Sequence, residues 1–497
     1  MGRSVQVDAT IHSYAEGCVQ RRVIAEVGAL VGRCAPGKDL VLQALPVPSR
    51  DGGVPLAVTA SGSASKKTGK GSKPGSTLAG SLQLDEELVL EYACLLERLL
   101  PGGLDVVGFY LLCPAAAFAA AAAPLTALAA HAGRELSGRL SSLLLLHIDS
   151  VSGELSLRDG GPGAGTAALR PCELKLAKLL DQMVLLQSRY EVSMQLPVTS
   201  GRQELAAAFQ AAADGAAAGA QGALGLVDGR LATEGWQLAD VPAAADDGSA
   251  ASTGPIAVEL LLQPSSSLAM CTAGGGKAGS GLLRGRAEGG AVGQVSIQGC
   301  LDCRACLHRR EAAAAAVEAV RLDVRRSLQA RMDALLDAAE QQQEAAAAEA
   351  EEQQGRPHGG AAAAPLPPPP AHPLFAAAGD SSAPLLVSLP RRAFVAAAAA
   401  GGLPYCDYLF EGESTQAVLG RLQLLLPMPG LATAAVECLE QAVGRQAPSL
   451  SPSAALPLRA GSGSRGVGAL PCSALVVGAG AVAVLALAVG YFSLGGQ

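Results

Sequence analysis

No residue after Arg465 carries a charge, and from Ala474 to Phe492 the chain reads ALVVGAGAVAVLALAVGYF. Such a segment has no polar face to turn towards water, so it constrains how everything before it can fold. As a helix its nineteen residues would span about 28 Å at roughly 1.5 Å per residue. That matches a hydrocarbon core of about 27–30 Å, at the thin end where the endoplasmic reticulum bilayer lies. Leu475, Val476, Val477, Val482, Val484, Leu485, Leu487, Val489 and Phe492 each favour insertion by roughly 0.3–0.6 kcal/mol. With Ala474 they form an expected membrane anchor. A buried core helix is the alternative, disfavoured because a Gly-, Ser- and Pro-rich stretch precedes the segment. An anchor at this position inserts after translation, as a tail anchor, and leaves the preceding chain cytosolic. Arg445, Arg459 and Arg465 stand before the span with no charge beyond it, in keeping with that orientation. The start, MGRSVQVDAT, has no apolar signal core, and Gln6 departs from the myristoylation pattern.

Composition narrows the rest. Sixty Gly, thirty Pro and long Ala runs among 497 residues take much of the chain out of any packed core. Aromatic residues are 3%, so the core must be built mainly from Leu and Val. A net charge of −7 without a basic stripe argues against a nucleic-acid partner. Twelve cysteines scattered over a cytosolic chain are expected to stay reduced.

Strands and helices alternate, which is an α/β or α+β pattern. Residues 1–50 suggest one helix and two strands, and 50–80 a solvated loop insertion. Leu84 to Leu100 has helical spacing through Leu84, Leu88, the polar Glu91, Leu95 and Leu99, with Leu96 and Tyr92 alongside, and Pro101-Gly102-Gly103 as its stop. Leu104 to Cys113 suggests a buried strand. The Ala-rich 115–140 suggests helix, and Leu143–Ile148 with Glu154–Arg158 a strand pair. A mixed α/β region, 166–353, follows. In it, 172–198 are expected to hold a helical piece and then an alternating strand, and 204–294 form a low-complexity insert with short apolar islands at Leu224–Val227, around Trp236 and at Ile256–Leu262. Val295–His308 suggests a strand. Residues 310–353 suggest a long helix with Val317, Val320, Val324, Leu328, Met332 and Leu335 on one face. The Pro-rich 354–384 suggest a linker of partly polyproline type, 385–440 a small α/β segment, and 441–473 a second linker.

Few motifs carry chemistry. Cys300, Cys303 and Cys306 with His308 offer four soft ligands, so zinc must be weighed. On a strand, however, Cys303 faces away from the other two, and no second pair lies nearby; buried structural cysteines are the alternative. Gly478-Ala479-Gly480 echoes a dinucleotide fingerprint, but too little chain follows for its βαβ unit. Gly274-Gly275-Gly276-Lys277 fails as a phosphate loop because Ala278 replaces the hydroxyl residue. His147 beside Asp149 has no nucleophile tied to it. No catalytic, cofactor-binding or metal residue is expected, and no cofactor.

Val27-Gly28-Ala29-Leu30-Val31-Gly32, Leu40–Pro48 and above all Val106-Val107-Gly108-Phe109-Tyr110-Leu111-Leu112-Cys113-Pro114 resemble the MPN domain of zinc-dependent isopeptidases and their inactive relatives. Active members read V-V-G-W-Y-H-S-H-P there, and both His bind zinc; this chain has Leu111 and Cys113. Glu26 lies one residue from where the catalytic Glu would align. The resemblance implies an inactive MPN-like domain over 1–165. The start MGRSVQVDATIHSY, Ala25–Cys34, Leu100–Gly108, Gly299–His308 and Tyr405–Glu413, in that order, resemble the odorant response abnormal protein 4 family. That resemblance implies a non-enzymatic adaptor in the endoplasmic reticulum membrane. Its implied partners are the bilayer, the protease specific for the ubiquitin-fold modifier, and multispanning receptors whose folding or trafficking it supports. The rival readings are a direct receptor chaperone and a membrane-anchored metalloisopeptidase with atypical ligands.

Overall fold

The computed structural model describes residues 4–35, 38–49, 55–60, 80–136, 143–160, 169–197, 202–233, 235–241, 254–262, 294–354, 385–395 and 401–440. The fold is mixed α/β. Its first part is a closed barrel of seven strands in the order β1-β3-β2-β6-β7-β8-β9. The strands are β1 (Ser4–Asp8), β2 (Glu26–Ala35), β3 (Lys38–Pro46), β6 (Asp105–Cys113), β7 (Leu144–Asp149), β8 (Leu155–Asp159) and β9 (Arg170–Ala177). A separate hairpin, β4 (Leu56–Ala60) and β5 (Gly80–Leu84), corrects the expected solvated loop over 50–80, since β4 lies within it and Leu56 is buried, while 61–79 lie outside the described residues.

Two cores share the barrel wall. Inside, Val5, Leu30, Val41, Tyr110, Leu146 and Leu157 meet Ile11, Ala15 and Cys18 of α1 (Ala9–Gln20). Asp8 caps α1 by accepting from Thr10 N at 2.9 Å, and its other oxygen accepts from Leu179 N at 2.7 Å. One carboxylate thus starts the helix and pins the exit of β9. Outside, Val27, Leu42, Phe109 and Leu145 pack under α2 (Glu86–Leu99), α3 (Ala115–Ala120) and α4 (Ala122–Glu135). Because both faces of β6 are covered, it reads as a continuous apolar run. Pro124 accounts for the break between α3 and α4: it has no N–H for the preceding turn, so it is accommodated in the first turn of a new helix.

Four further features differ from the sequence reading. The first fifty residues hold three strands, because the short SVQVD run is recruited by parallel pairing to both β3 and β9. The buried face of α2 is Val89, Tyr92, Ala93, Leu96 and Leu99, while Leu95 is 36% exposed. The helix begins after its cap Asp85, so Leu84 belongs to β5 and the stripe rotates. Within 172–198 a single 3-10 turn, 180–182, separates β9 from β10 (Met183–Pro197). The expected helical piece is instead strand, because β10 pairs along its whole length with β14 (Gln294–His308). Finally, the start of the expected low-complexity insert is the helix α5 (Arg202–Gly222). Alanine is the best helix former, and Ala212, Ala213, Ala216 and Ala220 with Phe209 are buried in the core that α5 shares with α6 (Ala313–Gln354).

The second sheet runs β12-β11-β13-β10-β14-β15, with β11 (Leu224–Val227), β12 (Arg230–Leu231), β13 (Ile256–Leu261) and β15 (Leu385–Val387). The third sheet, β17-β16-β18, consists of β16 (Arg391–Val395), β17 (Tyr405–Leu409) and β18 (Val436–Glu437). With α7 (Thr415–Leu425) it shares the outer core of the barrel. Tyr92 Oη donates to Leu425 O at 2.9 Å and Tyr405 Oη to Gln43 Oε1 at 2.7 Å. Among the described residues no helix is long and apolar enough to cross a membrane. The expected anchor, Ala474–Phe492, and the linkers at 355–384 and 441–473 lie outside the described residues.

Gly108 marks the tightest crossing of β6 and β7: a Cβ there would stand 2.0 Å from Leu144 O. The obstacle is backbone, which no rotamer change relieves. Gly108→Trp is therefore expected to abolish the folded barrel. Gly133→Ala, at an exposed helical position with nothing within 4 Å, should instead gain roughly 0.5–1 kcal/mol. Thermal unfolding of the two variants checks the contrast, and a cooperative, native-like melt of Gly108→Trp would refute it.

Candidate functional site

Glu26 at the start of β2 and Cys113 at the end of β6 lie at one end of the barrel wall, since Glu26 pairs with Leu112. Parallel pairing adds β7, with Leu111 opposite His147 and Cys113 opposite Asp149. This is where the MPN resemblance expects a metal centre.

The side chains there do other things. Leu111 and Cys113 are fully buried among the outer-core residues. Leu111 has no lone pair. Burial, with the nearby Asp149 carboxylate, pushes the Cys113 thiol up to about 12. A metal takes the thiolate, so this pair does not fit zinc. His147 is buried and stacked on Phe118 at 4.2 Å. Its Nε2 lies 2.9 Å from Cys113 O and its Nδ1 3.4 Å from Ser156 Oγ. Burial lowers its pKa, so the ring is neutral, with both nitrogens engaged. Asp149 closes the β7–β8 turn, accepting from Ser152 N at 3.0 Å, Ser152 Oγ at 2.6 Å and Ala115 N at 3.2 Å. Burial opposes its ionisation, but these bonds outweigh it and hold the carboxyl below its ordinary value. Glu26 points the other way: Tyr110 Oη donates to its Oε1 at 2.9 Å, and Tyr14 Oη donates to the same oxygen. Burial is the first cause raising both phenols, followed by the Glu26 charge at Tyr14 and by Tyr14 and then Glu26 at Tyr110, so both stay protonated donors.

The cysteine run is split as strand geometry requires. Cys303 is buried in the α6 core, Cys306 on the opposite, barrel side, and Cys300 is exposed. His308 Nε2 is 3.0 Å from Gln182 Oε1. Among the described residues no group of three or more His, Cys, Asp or Glu could hold a metal ion.

The strongest electrostatic feature lies elsewhere, where barrel, second sheet and third sheet meet. Asp323 of α6 is fully buried. It accepts from Gly102 N at 2.9 Å, Arg304 N at 2.9 Å and Arg392 Nη1 at 2.6 Å. Glu440 accepts from Arg331 Nη1 and Nη2 at 2.7 and 2.6 Å, Asp302 N at 2.7 Å and Arg392 N at 2.8 Å. Burial works against the charges on Arg392 and Arg331, but Asp323 and Glu440 outweigh it, and both guanidiniums stay above their ordinary value. Two further links tie the same region to the barrel. Arg326 binds Leu104 O at 2.7 Å and pairs with Asp105, and Arg33 pairs with Glu311. Sequence reasoning missed this network. Its one local signal was a charge at Asp323 and another at Arg331 on the apolar stripe of α6.

The chain is a mixed α/β protein in which buried ion pairs join barrel and sheets, and among the described residues its barrel end holds no ligand set for zinc. The profile of the Odorant response abnormal 4-like family matches residues 28–435, and the chain belongs to that family. No curated protein matches. Among solved structures, protein DSY2949 from Desulfitobacterium hafniense is similar over 35% of this chain and 93% of its own, at 11% identity and a TM-score of 0.21. UfSP from C. elegans is similar over 86% of this chain and 57% of its own, at 10% identity and a TM-score of 0.37. The chain thus spans little more than half the length of UfSP.

Proposed function

We propose that this protein is a non-enzymatic, tail-anchored adaptor that brings the protease specific for the ubiquitin-fold modifier to the endoplasmic reticulum membrane, and that it supports receptor folding or trafficking there. Family membership over residues 28–435 supports the reading, together with the family's resemblance to MPN-like scaffolds. The observation that carries the non-enzymatic part is the pair Leu111 and Cys113, both buried, one a hydrocarbon and the other a thiol that burial keeps protonated at neutral pH. Anchoring a binding surface raises its partner's effective concentration at the membrane without any new contact.

The test uses residues 1–440. They should co-purify with the protease yet leave it cytosolic, hold substoichiometric zinc, and cleave no ubiquitin-like conjugate. Residues 441–497 alone should reach the membrane and recruit nothing. Failure of 1–440 to bind the protease would remove the adaptor reading. One tightly held zinc, lost to a chelator together with an activity, would restore the isopeptidase.

A further inference from the structure

Arg309 and Arg310 leave the end of β14 and lead into α6, and both are exposed. With Gln182, Gln237 and Ala239 they line a cavity of about 460 Å³, within the range of small-molecule sites, roughly 300–1,000 Å³. Its walls are fixed by main-chain bonds. Arg309 N donates to Gln182 O at 2.9 Å, Leu238 N to Glu311 O at 2.9 Å, and Ala313 N to Trp236 O at 3.1 Å. The Gln182 amide is set as well. His308 Nδ1 accepts from Arg310 N at 3.2 Å, so its Nε2 donates to Gln182 Oε1 at 3.0 Å, and Gln182 Nε2 donates to Lys178 O at 3.0 Å.

Of the lining residues only Arg309 and Arg310 are charged. The carboxylate beside the two arginines in sequence, Glu311, is taken by Arg33 Nε and Nη2 at 2.7 Å and by His308 N at 3.0 Å. Asp240 accepts from Gln237 N at 2.8 Å. Lys38 adds positive potential beside His308. Among the described residues, the ion pairs formed by arginines involve neither Arg309 nor Arg310. A chain of net charge −7 therefore places two arginines, outside these ion pairs, at a hollow with no acid among its lining residues. Guanidinium forks match the spacing of oxyanion oxygens.

We propose that this pocket binds a phosphate monoester carried on a small organic body. A dianion matches two guanidiniums, and the volume exceeds that of one tetrahedral anion, leaving the Gln237 and Ala239 side for the body. The monoester has two possible sources, a soluble phosphate ester or a phosphoinositide headgroup in the membrane.

The experiment titrates the full chain, reconstituted in nanodiscs of phosphatidylcholine, with phenyl phosphate. Saturable binding near about 1 mM or tighter is expected, with benzoate roughly tenfold weaker. Arg309→Gln/Arg310→Gln should weaken binding by roughly a hundredfold, and Arg309→Lys/Arg310→Lys, which keeps charge but loses the fork, by roughly tenfold. Repeating the titration with phosphatidylinositol 4-phosphate in the disc separates the sources: displacement of phenyl phosphate assigns the lipid, and an unchanged affinity the soluble ester. No saturable binding, equal binding of benzoate, or unchanged affinity in both double variants with native melting curves would overturn the proposal.

Discussion

Asp323→Ala is expected to destabilise the protein by about 3–5 kcal/mol, the usual cost of removing one partner from a buried ion pair. The carboxylate is fully buried, and its loss takes the acceptor from the Arg392 guanidinium Nη1 and from Arg304 N, while Gly102 N keeps its second acceptor, Arg304 O at 2.9 Å. Arg392 is 1% exposed, so water cannot take over. The pair is not thereby a large net source of stability, because burying two charges cancels much of their attraction. The asymmetry gives the test its control. Asp323→Leu combined with Arg392→Leu should recover part of the loss, leaving the Arg304 N–H without its carboxylate acceptor at about 1–3 kcal/mol. Arg325→Ala breaks the pair with Asp214, in which both side chains are more than 40% exposed, and should cost less than about 1 kcal/mol. Thermal unfolding of the full chain in mild detergent checks all three, with a fall of roughly 5–8 °C expected for Asp323→Ala. A fall no larger than that of Arg325→Ala would show that water or a rearrangement satisfies the orphaned groups.

Much of this architecture was visible in local pattern and much was not, for reasons that differ by element. β6, β14 and α6 stood out because each carries a long, uninterrupted signal: a run buried on both faces, an alternation, and a stripe at helical spacing. α5 was hidden because its buried face is mostly alanine, which looks like low complexity until Phe209 is seen packed in the α6 core. β1 was missed because five residues of alternation weigh little alone. Their role comes from parallel pairing of Val5 with Leu174 and with Asp39, which closes the barrel. The same distinction separates the two candidate sites. Leu111 and Cys113 could be located by resemblance, since the strand around them keeps its pattern. The Asp323 network could not, because Arg392 is 69 residues from Asp323 and Glu440 is 109 from Arg331. A charge on an apolar helix face announces a buried partner without saying which.

Replacing Val484 and Leu487 by arginine is expected to release the protein from membranes. Each charge near the centre of a span costs roughly 2.5–3.5 kcal/mol on the insertion scale, so the pair costs about 5–7 kcal/mol, more than the few kcal/mol that the apolar residues of the segment supply. Deleting residues 466–497 should have the same effect, and it leaves Glu440 with its bonds to Arg331 and Arg392, so the fold before it is expected to melt unchanged. That separates loss of address from loss of structure. If the adaptor reading holds, the protease should leave the membrane fraction with either variant while remaining bound to it in solution. Flotation after a high-salt wash, with the melting curve of the same preparation, decides the matter. A truncated chain that still floats, or a protease that stays at the membrane in cells where this chain has become soluble, would mean that some other surface makes the attachment.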